Sequence, residues 1–446
     1  MSASQKEDLA QVFGPKWQGA GDLDYVACWF KRAADFMSRT QAQASFVATN
    51  SICQGQQVAS LWKPLLTTGG MHINYAYRTF VWDSEATEKA HVYCVIVGFG
   101  PGVNHGGTIF DGVKGTHATN INGYLLNGPN VFIQSRIAPL CDIPKMGIGN
   151  LPIDGGNYLF TKDEKDTFLK IEPNAAPYFR RWFGSEEFIN GKARYCLWLG
   201  DCSAATLGKL PECMKRVEQV RAFRLASNRA ATRKLADTPK RFHFENMPKG
   251  SSILVPKVSS ERREYVPMGF MDPSCLCSDL VFLIPEATIY HFGILTSSAH
   301  MAWMRAVAGR LKSDYRYSNK IVYNNFVWPS PSEDQEKKIE ATAQAILDAR
   351  SKEAGATMAD LYRTASMPDE LRAAHKANDR AVLEAYGLSK DSTEEEIVAH
   401  LMKLYSEKVE ELRQKELEEA ERLKAEKAAE RERRKAERAA TRKTKL

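Results

Sequence analysis

Apolar residues recur at three- and four-residue spacing through 22–40 (DLDYVACWFKRAADFMSRT), where Leu23, Val26, Ala27, Phe30, Ala34 and Met37 form one stripe. That spacing predicts an amphipathic helix, with Asp22 placed as its N-cap. ASFVATNSI (44–52) is a short apolar run that turns polar, a buried strand whose C-terminal end opens into a loop. A second helix starts at Gln54-Gly55-Gln56-Gln57, continues through VASLWKPLL and halts around Pro64 and the Gly69-Gly70 pair. HINYAYRTFVW (72–82) and HVYCVIVGF (91–99) read as two strands joined by the turn DSEATEKA (83–90). Strand, helix, strand pair in this order is an α/β layer pattern.

From 100 to about 205 Gly, Asn and Pro are dense between short apolar runs, which predicts an irregular mixed β region with short helices at KDEKDTFLKI and EEFIN. A long basic helix is expected over 209–235, then strands at SSILVPKV, REYVPMGF and VFLIP, then a helix over 294–310. Trp328-Pro329-Ser330-Pro331 marks a boundary, beyond which three helical segments lead into a Glu/Lys/Arg/Ala tail from about 407. The tail reads as a solvated single helix or a disordered segment.

At 446 residues and 43% hydrophobic, the chain can bury real cores and suggests two or three domains at about 150 residues each. No apolar run approaches the ~20 residues of a membrane span. The opening MSASQKEDLA lacks the features of a signal peptide. The nine cysteines form no C-x-x-C pair, so reduced thiols in a cytoplasmic protein are expected, with no metal site. The net charge of +7 gains meaning when localised. Residues 209–264 hold fourteen Lys and Arg against six Asp and Glu, and 305–320 add five bases against one acid. Positive charge in the middle third points to a polyanion.

Three features mimic known chemistry. Val97-Gly98-Phe99-Gly100-Pro101-Gly102 follows a strand, as a nucleotide-cradling turn does, but NHGGTIFDGVKG after it cannot form the required helix. Cys275-x-Cys277 has no second pair to complete a tetrahedral zinc site. His300, beside Met301 and Met304, reads as a packed helix residue.

Seven strings in order resemble the MmeI-like DNA methyltransferases of single-chain restriction–modification and phage-defence systems: GDLDYVACWFKRAADF (21–36), FVATNSICQGQQV (46–58), INYAYRTFVWDSEA (73–86), HVYCVIVGF (91–99), RRWFGSEEFINGKARYCLWL (180–199), VSSERREYVPMGF (258–270) and 293–329. The likeness covers roughly 1–405. It implies an α/β plus α+β architecture: the C-terminal half of a class I, Rossmann-like methyltransferase fold over 1–105, a mixed target-recognition domain over 106–329, a helical domain over 330–406 and a charged tail over 407–446. It also implies methyl transfer from S-adenosylmethionine to adenine N6 of double-stranded DNA. The family's F-x-G-x-G cofactor loop and Asn-Pro-Pro-Tyr/Phe loop are absent from these residues. The expectation is therefore a C-terminal fragment (a split-gene product, a truncated relic or a mis-started gene) that is inactive alone and needs an N-terminal methyltransferase fragment.

By the same resemblance Asp22, Leu23 and Tyr25, with Thr49, Asn50 and Gln54 at a strand's C-terminal end, lie near the cofactor. Phe80 and Trp82 match the position that stacks on an extruded base, although each also reads as an ordinary strand-core residue. Glu261 and Arg263 alternate on an expected strand edge, where Glu suits a cytosine amino group and Arg a guanine. Asn228 and Arg229 are further base-reading candidates. Arg216, Arg221, Arg224, Arg233, Lys234, Lys240 and Arg241, with Arg305, Arg310, Lys312 and Arg316, are candidate phosphate contacts. A non-catalytic DNA-specificity subunit partnering a separate methyltransferase is the alternative, and a helical scaffold is a third reading.

Overall fold

The computed structural model describes residues 1–82 and 92–443, with side chains through 434. Helix α1 (Ala3–Phe13) carries a capping box in which Ser2 and Gln5 satisfy each other's backbone N–H. Helix α2 (Ala27–Met37) buries the later part of the predicted stripe, Phe30, Ala34 and Met37 included, but begins five residues after Asp22, which ends a short 3-10 turn (Ala20–Asp22) and does not cap it. Five strands follow: β1 (Ala44–Thr49), β2 (Met71–Trp82), β3 (Val92–Pro101), β4 (Gly107–Asp111) and β5 (Lys114–Ala118), ordered β1-β3-β2-β4-β5. Strand β3 runs antiparallel to both neighbours, so β1 and β2 are parallel to each other. The expected turn over 83–90 lies outside the described residues.

One face of this sheet packs on α2 and on the helix over 55–66. Phe30 stands edge-on to Phe46 and Trp62, at 5.2 and 5.5 Å, and stacks on Phe99. Aromatic contacts of this geometry add ~0.5–1.5 kcal/mol each beyond area burial. Gly98 is required here because the Tyr75 ring lies across it, and a Cβ would sit 2.2 Å from that ring.

The middle of the chain is built from three small sheets. One joins β6 (Leu159–Thr161), β7 (Phe179–Phe183) and β8 (Arg194–Leu197) with 276–277, under helix α3 (Pro211–Leu225). The expected single helix over 209–235 is broken: it ends at Leu225 and resumes as Ala230–Lys234. Ser227 causes the break, its hydroxyl accepting from the Arg229 N–H at 3.2 Å and offering the backbone an alternative to the helix. A second sheet centres on β9 (Ser252–Pro256) and β10 (Val281–Pro285). Of the expected strand REYVPMGF only Gly269–Met271 forms, since Pro267 has no N–H to donate and Tyr265 is drawn to Asp379 at 2.6 Å. The hairpin β11 (Gly309–Leu311) and β12 (Asp314–Arg316) belongs to the third sheet.

The expected helix over 294–310 is two, α4 (Ile289–Leu295) and α5 (Ser298–Val307), parted where the Thr296 hydroxyl bonds Phe292 O and Ser297 caps α5. Helices α6 (Glu333–Lys352), α7 (Asp369–Ala385) and the 50-residue α8 (Glu394–Lys443) complete the chain. Gly293 lets α4 approach α6 closely, because a Cβ there would meet Ile339 at 2.8 Å. One core runs from Leu9 through Trp62 and Trp303 to Tyr405, and the β6–β8 sheet with α3 closes a second around Trp182, Trp198 and Val220.

His300 lies wholly inside that core, its Nε2 2.8 Å from the Tyr317 hydroxyl, and burial pushes its pKa down to about 3. The unfolded chain takes up that proton first, near pH 6.5, so the contribution is full above that value and is lost as pH falls below it. Between pH 7 and 5 the native protein is expected to lose about 2 kcal/mol more stability than His300→Gln. Urea unfolding of both proteins at the two pH values is the check.

Candidate nucleic-acid interface

Where β1 ends, its polar continuation meets the β11–β12 hairpin across a cleft of about 1200 Å³. Asp22, Thr49, Asn50 and Gln54 line one side, and Lys257, Arg310, Lys312 and Arg316 line the other. The first side is set by side-chain bonds: Gln57 binds the Asp24 backbone N–H and carboxylate at 3.0 and 2.8 Å, and buried Asn50 donates to Thr79 at 3.4 Å. On the second side the Arg310 guanidinium lies 3.9 Å from the centre of the Tyr315 ring and donates to Ser313 O. That contact fixes a flexible cation, whose charge is partly offset by the Glu261 carboxylate 3.9 Å away. Lys312 and Arg316 are exposed on the hairpin and make no side-chain hydrogen bond or ion pair among the described residues. Lys257 is half-buried over Phe282, and burial lowers its pKa.

The cleft gathers four of the six candidate cofactor residues and excludes two. Leu23 is wholly buried in the core, on the inward stripe of its segment. Tyr25 turns away and donates to the Asp8 carboxylate at 2.8 Å. None of the buried polar atoms lacking a partner belongs to Asp22, Thr49, Asn50 or Gln54. Asp22 and Thr49 are exposed, Gln54 is half-buried and the Asn50 amide is already bonded to Thr79, so these residues alone do not enclose a site for S-adenosylmethionine. Phe80 and Trp82 pair with Cys94 and Val92, and Thr49 also pairs with Cys94. Directly opposed residues share a face, which puts both aromatics on the same side of the sheet as Thr49.

Several expected DNA contacts are corrected. Arg224 is wholly buried and spends all five N–H donors on the carbonyls of Pro152, Ile153, Leu235, Thr238 and Arg241, at 2.7–3.0 Å. It ties the basic helix to two loops and cannot reach a phosphate. Arg305 is bidentate to Glu394, at 2.9 and 2.7 Å, and its charge is neutralised there. Lys240 donates to Cys202 O at 2.7 Å, and Arg241 pairs with Glu245. Glu261 and Arg263 stand in a turn rather than a strand, because Ser260 accepts from the backbone N–H groups of Arg262 and Arg263. They share no pleated face, and Glu261 lies 3.9 Å from Arg310.

Arg221, Asn228, Arg229 and Lys234 are exposed around the helix break, as is Arg233, which donates to Ser227 O. Arg216 sits over the Phe160 ring at 4.8 Å. Among the cleft residues that the sequence reading passed over are Lys257 and Tyr93. Tyr93 had no distinguishing signal, whereas Lys257 breaks an otherwise apolar strand run and could have been noticed.

Comparison with known proteins gives the class first. Family models match in succession: MmeI, DNA-methyltransferase domain, over 1–111; MmeI, target recognition domain, over 127–330; and MmeI, C-terminal domain, over 331–413. These are the parts of a DNA methyltransferase that carries its own target-recognition domain, and the chain belongs to the MmeI family. It is 41% identical to DNA methyltransferase A of Bacillus subtilis (strain 168) over 408 residues, which is 91% of this chain and 46% of that protein. It is similar to the type IIL restriction-modification enzyme MmeI, solved in complex with DNA, at 41% identity and a TM-score of 0.85, covering 92% of this chain and 55% of that one. The chain thus spans about half the length of these relatives. No helix among the described residues is long and apolar enough to cross a membrane.

Proposed function

We propose that this chain is the DNA-reading portion of a site-specific adenine-N6 DNA methyltransferase of a restriction–modification or phage-defence system. The observation that carries the reading is the cleft, where the end of β1 faces Lys257, Arg310, Lys312 and Arg316. Cations on a rigid hairpin fix a duplex by its phosphates, while exposed Asn228 and Arg229 suit the donor and acceptor edges of bases. Phe80 and Trp82 supply flat apolar surface for an extruded adenine. In this reading the Gly-rich and Asn-Pro-Pro loops belong to polypeptide outside these 446 residues, and S-adenosylmethionine is bound mainly there.

The experiment supplies the chain with a polypeptide carrying those loops, labelled S-adenosylmethionine and duplex DNA, then digests the DNA to nucleosides. Label in N6-methyladenine only when both polypeptides are present supports the reading. Label in a methylated cytosine overturns the adenine assignment. DNA binding by the chain with no transfer in the mixture favours the non-catalytic specificity subunit instead.

A further inference from the structure

Helix α8 leaves the fold after Tyr405, a buried residue whose ring packs 6.0 Å from that of Trp303. Its first turn is anchored by Glu394 on Arg305 and Glu395 on Arg78, at 2.7 and 2.9 Å, beside a cavity that Arg310 also lines. From Arg413 through Arg434 every residue is exposed, and the helix runs on to Lys443. At 1.5 Å per residue that is an arm of about 45 Å. The matched C-terminal domain stops at 413, so the arm is an addition to the domains this chain shares with its family. A helix that is polar all round is held by its own side chains. Arg413 pairs with Glu410 at 2.9 Å, Lys415 with Glu411 at 2.6 Å, and Arg434 with Glu430 at 2.7 Å, while Arg422 lies 3.8 Å from Glu419 and from Glu426. Pairs at this spacing add about 0.2–0.5 kcal/mol each. The charge is not evenly spread. Residues 407–430 hold nine Glu against six Lys and Arg, whereas 431–446 hold eight Lys and Arg against two Glu. The helix dipole favours cations only within the last turn, so it does not account for a basic run of about four turns.

We propose that residues 431–446 form a second DNA contact, a basic arm tip that lies on the phosphates of duplex DNA outside the segment held in the cleft. The inference rests on the DNA-reading proposal above and adds a contact on the same duplex. Two observations select this occupant. Between Arg413 and Lys445 the only large apolar residues are Leu417 and Leu423. Six residues apart, they lie on different sides of the helix and supply neither a seam for a second copy of the arm nor an apolar face for a membrane. A cation surplus without apolar surface suits a polyanion, and such contacts give affinity without reading sequence. Reach is the second observation. From Tyr405 to Lys443 the helix spans about 57 Å, the length of about sixteen base pairs of B-form DNA, so its tip is long enough to touch DNA more than one helical turn away.

The test compares the full 446-residue chain with a variant ending at Glu430, and with one combining Arg431→Gln, Arg433→Gln, Arg434→Gln and Lys435→Gln, which keeps the helix length. Among the described residues nothing beyond Leu412 enters a core, so both variants should unfold at the same urea concentration as the native chain. Each protein is titrated with duplexes of about 15 and about 50 base pairs at several salt concentrations. On the long duplex both variants are expected to bind about fivefold more weakly than the native chain, with the slope of log K against log salt flatter by about two. On the short duplex the change should stay within about twofold. Unchanged affinity and slope on the long duplex overturn the inference. So does a loss confined to the truncation, which would make length rather than charge the cause, and so does an equal loss on the short duplex, which would leave the arm no contact outside the cleft. Single-stranded RNA that displaces the long duplex from the native chain but not from the truncated one would make RNA the occupant instead. Absence of all DNA binding by the native chain removes the DNA-reading proposal together with the arm, whereas binding that ignores the arm removes the arm alone.

Discussion

Arg224→Ala is expected to destabilise the protein by about 3–5 kcal/mol while leaving the exposed charge of the basic helix unchanged. The guanidinium is wholly buried, and its donors close a set of five carbonyls drawn from 152–153 and 235–241. Removing it leaves the carbonyls of Pro152, Ile153 and Arg241 without this donor, leaves Leu235 and Thr238 only their backbone partners, and opens a cavity the size of an arginine side chain. Arg224→Lys should recover only a small part, because an ammonium has three donors and cannot match a planar fork. Arg221→Ala, three residues earlier on the exposed side, should stay within about 0.5 kcal/mol of the native protein. Thermal or urea unfolding separates the two. Equal stability of all three would show that Arg224 does not tie the helix to these loops.

The second large effect is on binding. Lys312→Ala with Arg316→Ala is expected to weaken duplex binding about tenfold at moderate salt and to flatten the dependence of log K on log salt by about two. Both side chains are exposed on the hairpin, so stability should change little. The loss should be nearly equal on a target duplex and a scrambled one, because phosphate contacts carry no sequence information. Titrations at several salt concentrations read both quantities. An unchanged salt slope would place the duplex elsewhere on the molecule.

Much of this was legible in the chain, for identifiable reasons. The apolar runs over 72–82 and 91–99 gave β2 and β3, and the stripe from Ala27 to Met37 gave α2, because each segment is held by burial of its apolar residues. The breaks in helices were harder. Ser227 and Thr296-Ser297 are single polar residues in otherwise helical runs, and only the bonds they make locally decide whether the helix stops. Arg224 is the instructive error. Cys213, Val217, Val220 and Arg224 follow one buried stripe at helical spacing, so periodicity already placed that arginine inward, and its charge was weighed above its position. Glu261 and Arg263 failed for the opposite reason: alternation over three residues is too short to define a strand, and Ser260 folds the segment into a turn. The pairing of Arg305 with Glu394, 89 residues away, leaves no trace in local sequence at all. Nor does the meeting of β1 with the 309–316 hairpin, which makes the cleft.

The central claim is that this chain itself reads a DNA sequence. Its most direct test is selection of a bound duplex from a randomised pool by the purified protein, followed by comparison of that duplex with its scrambled counterpart at one fixed salt concentration. A defined motif bound about a thousandfold more tightly than the scrambled duplex is the predicted result. No enriched motif, with equal affinity for every duplex, would contradict the claim.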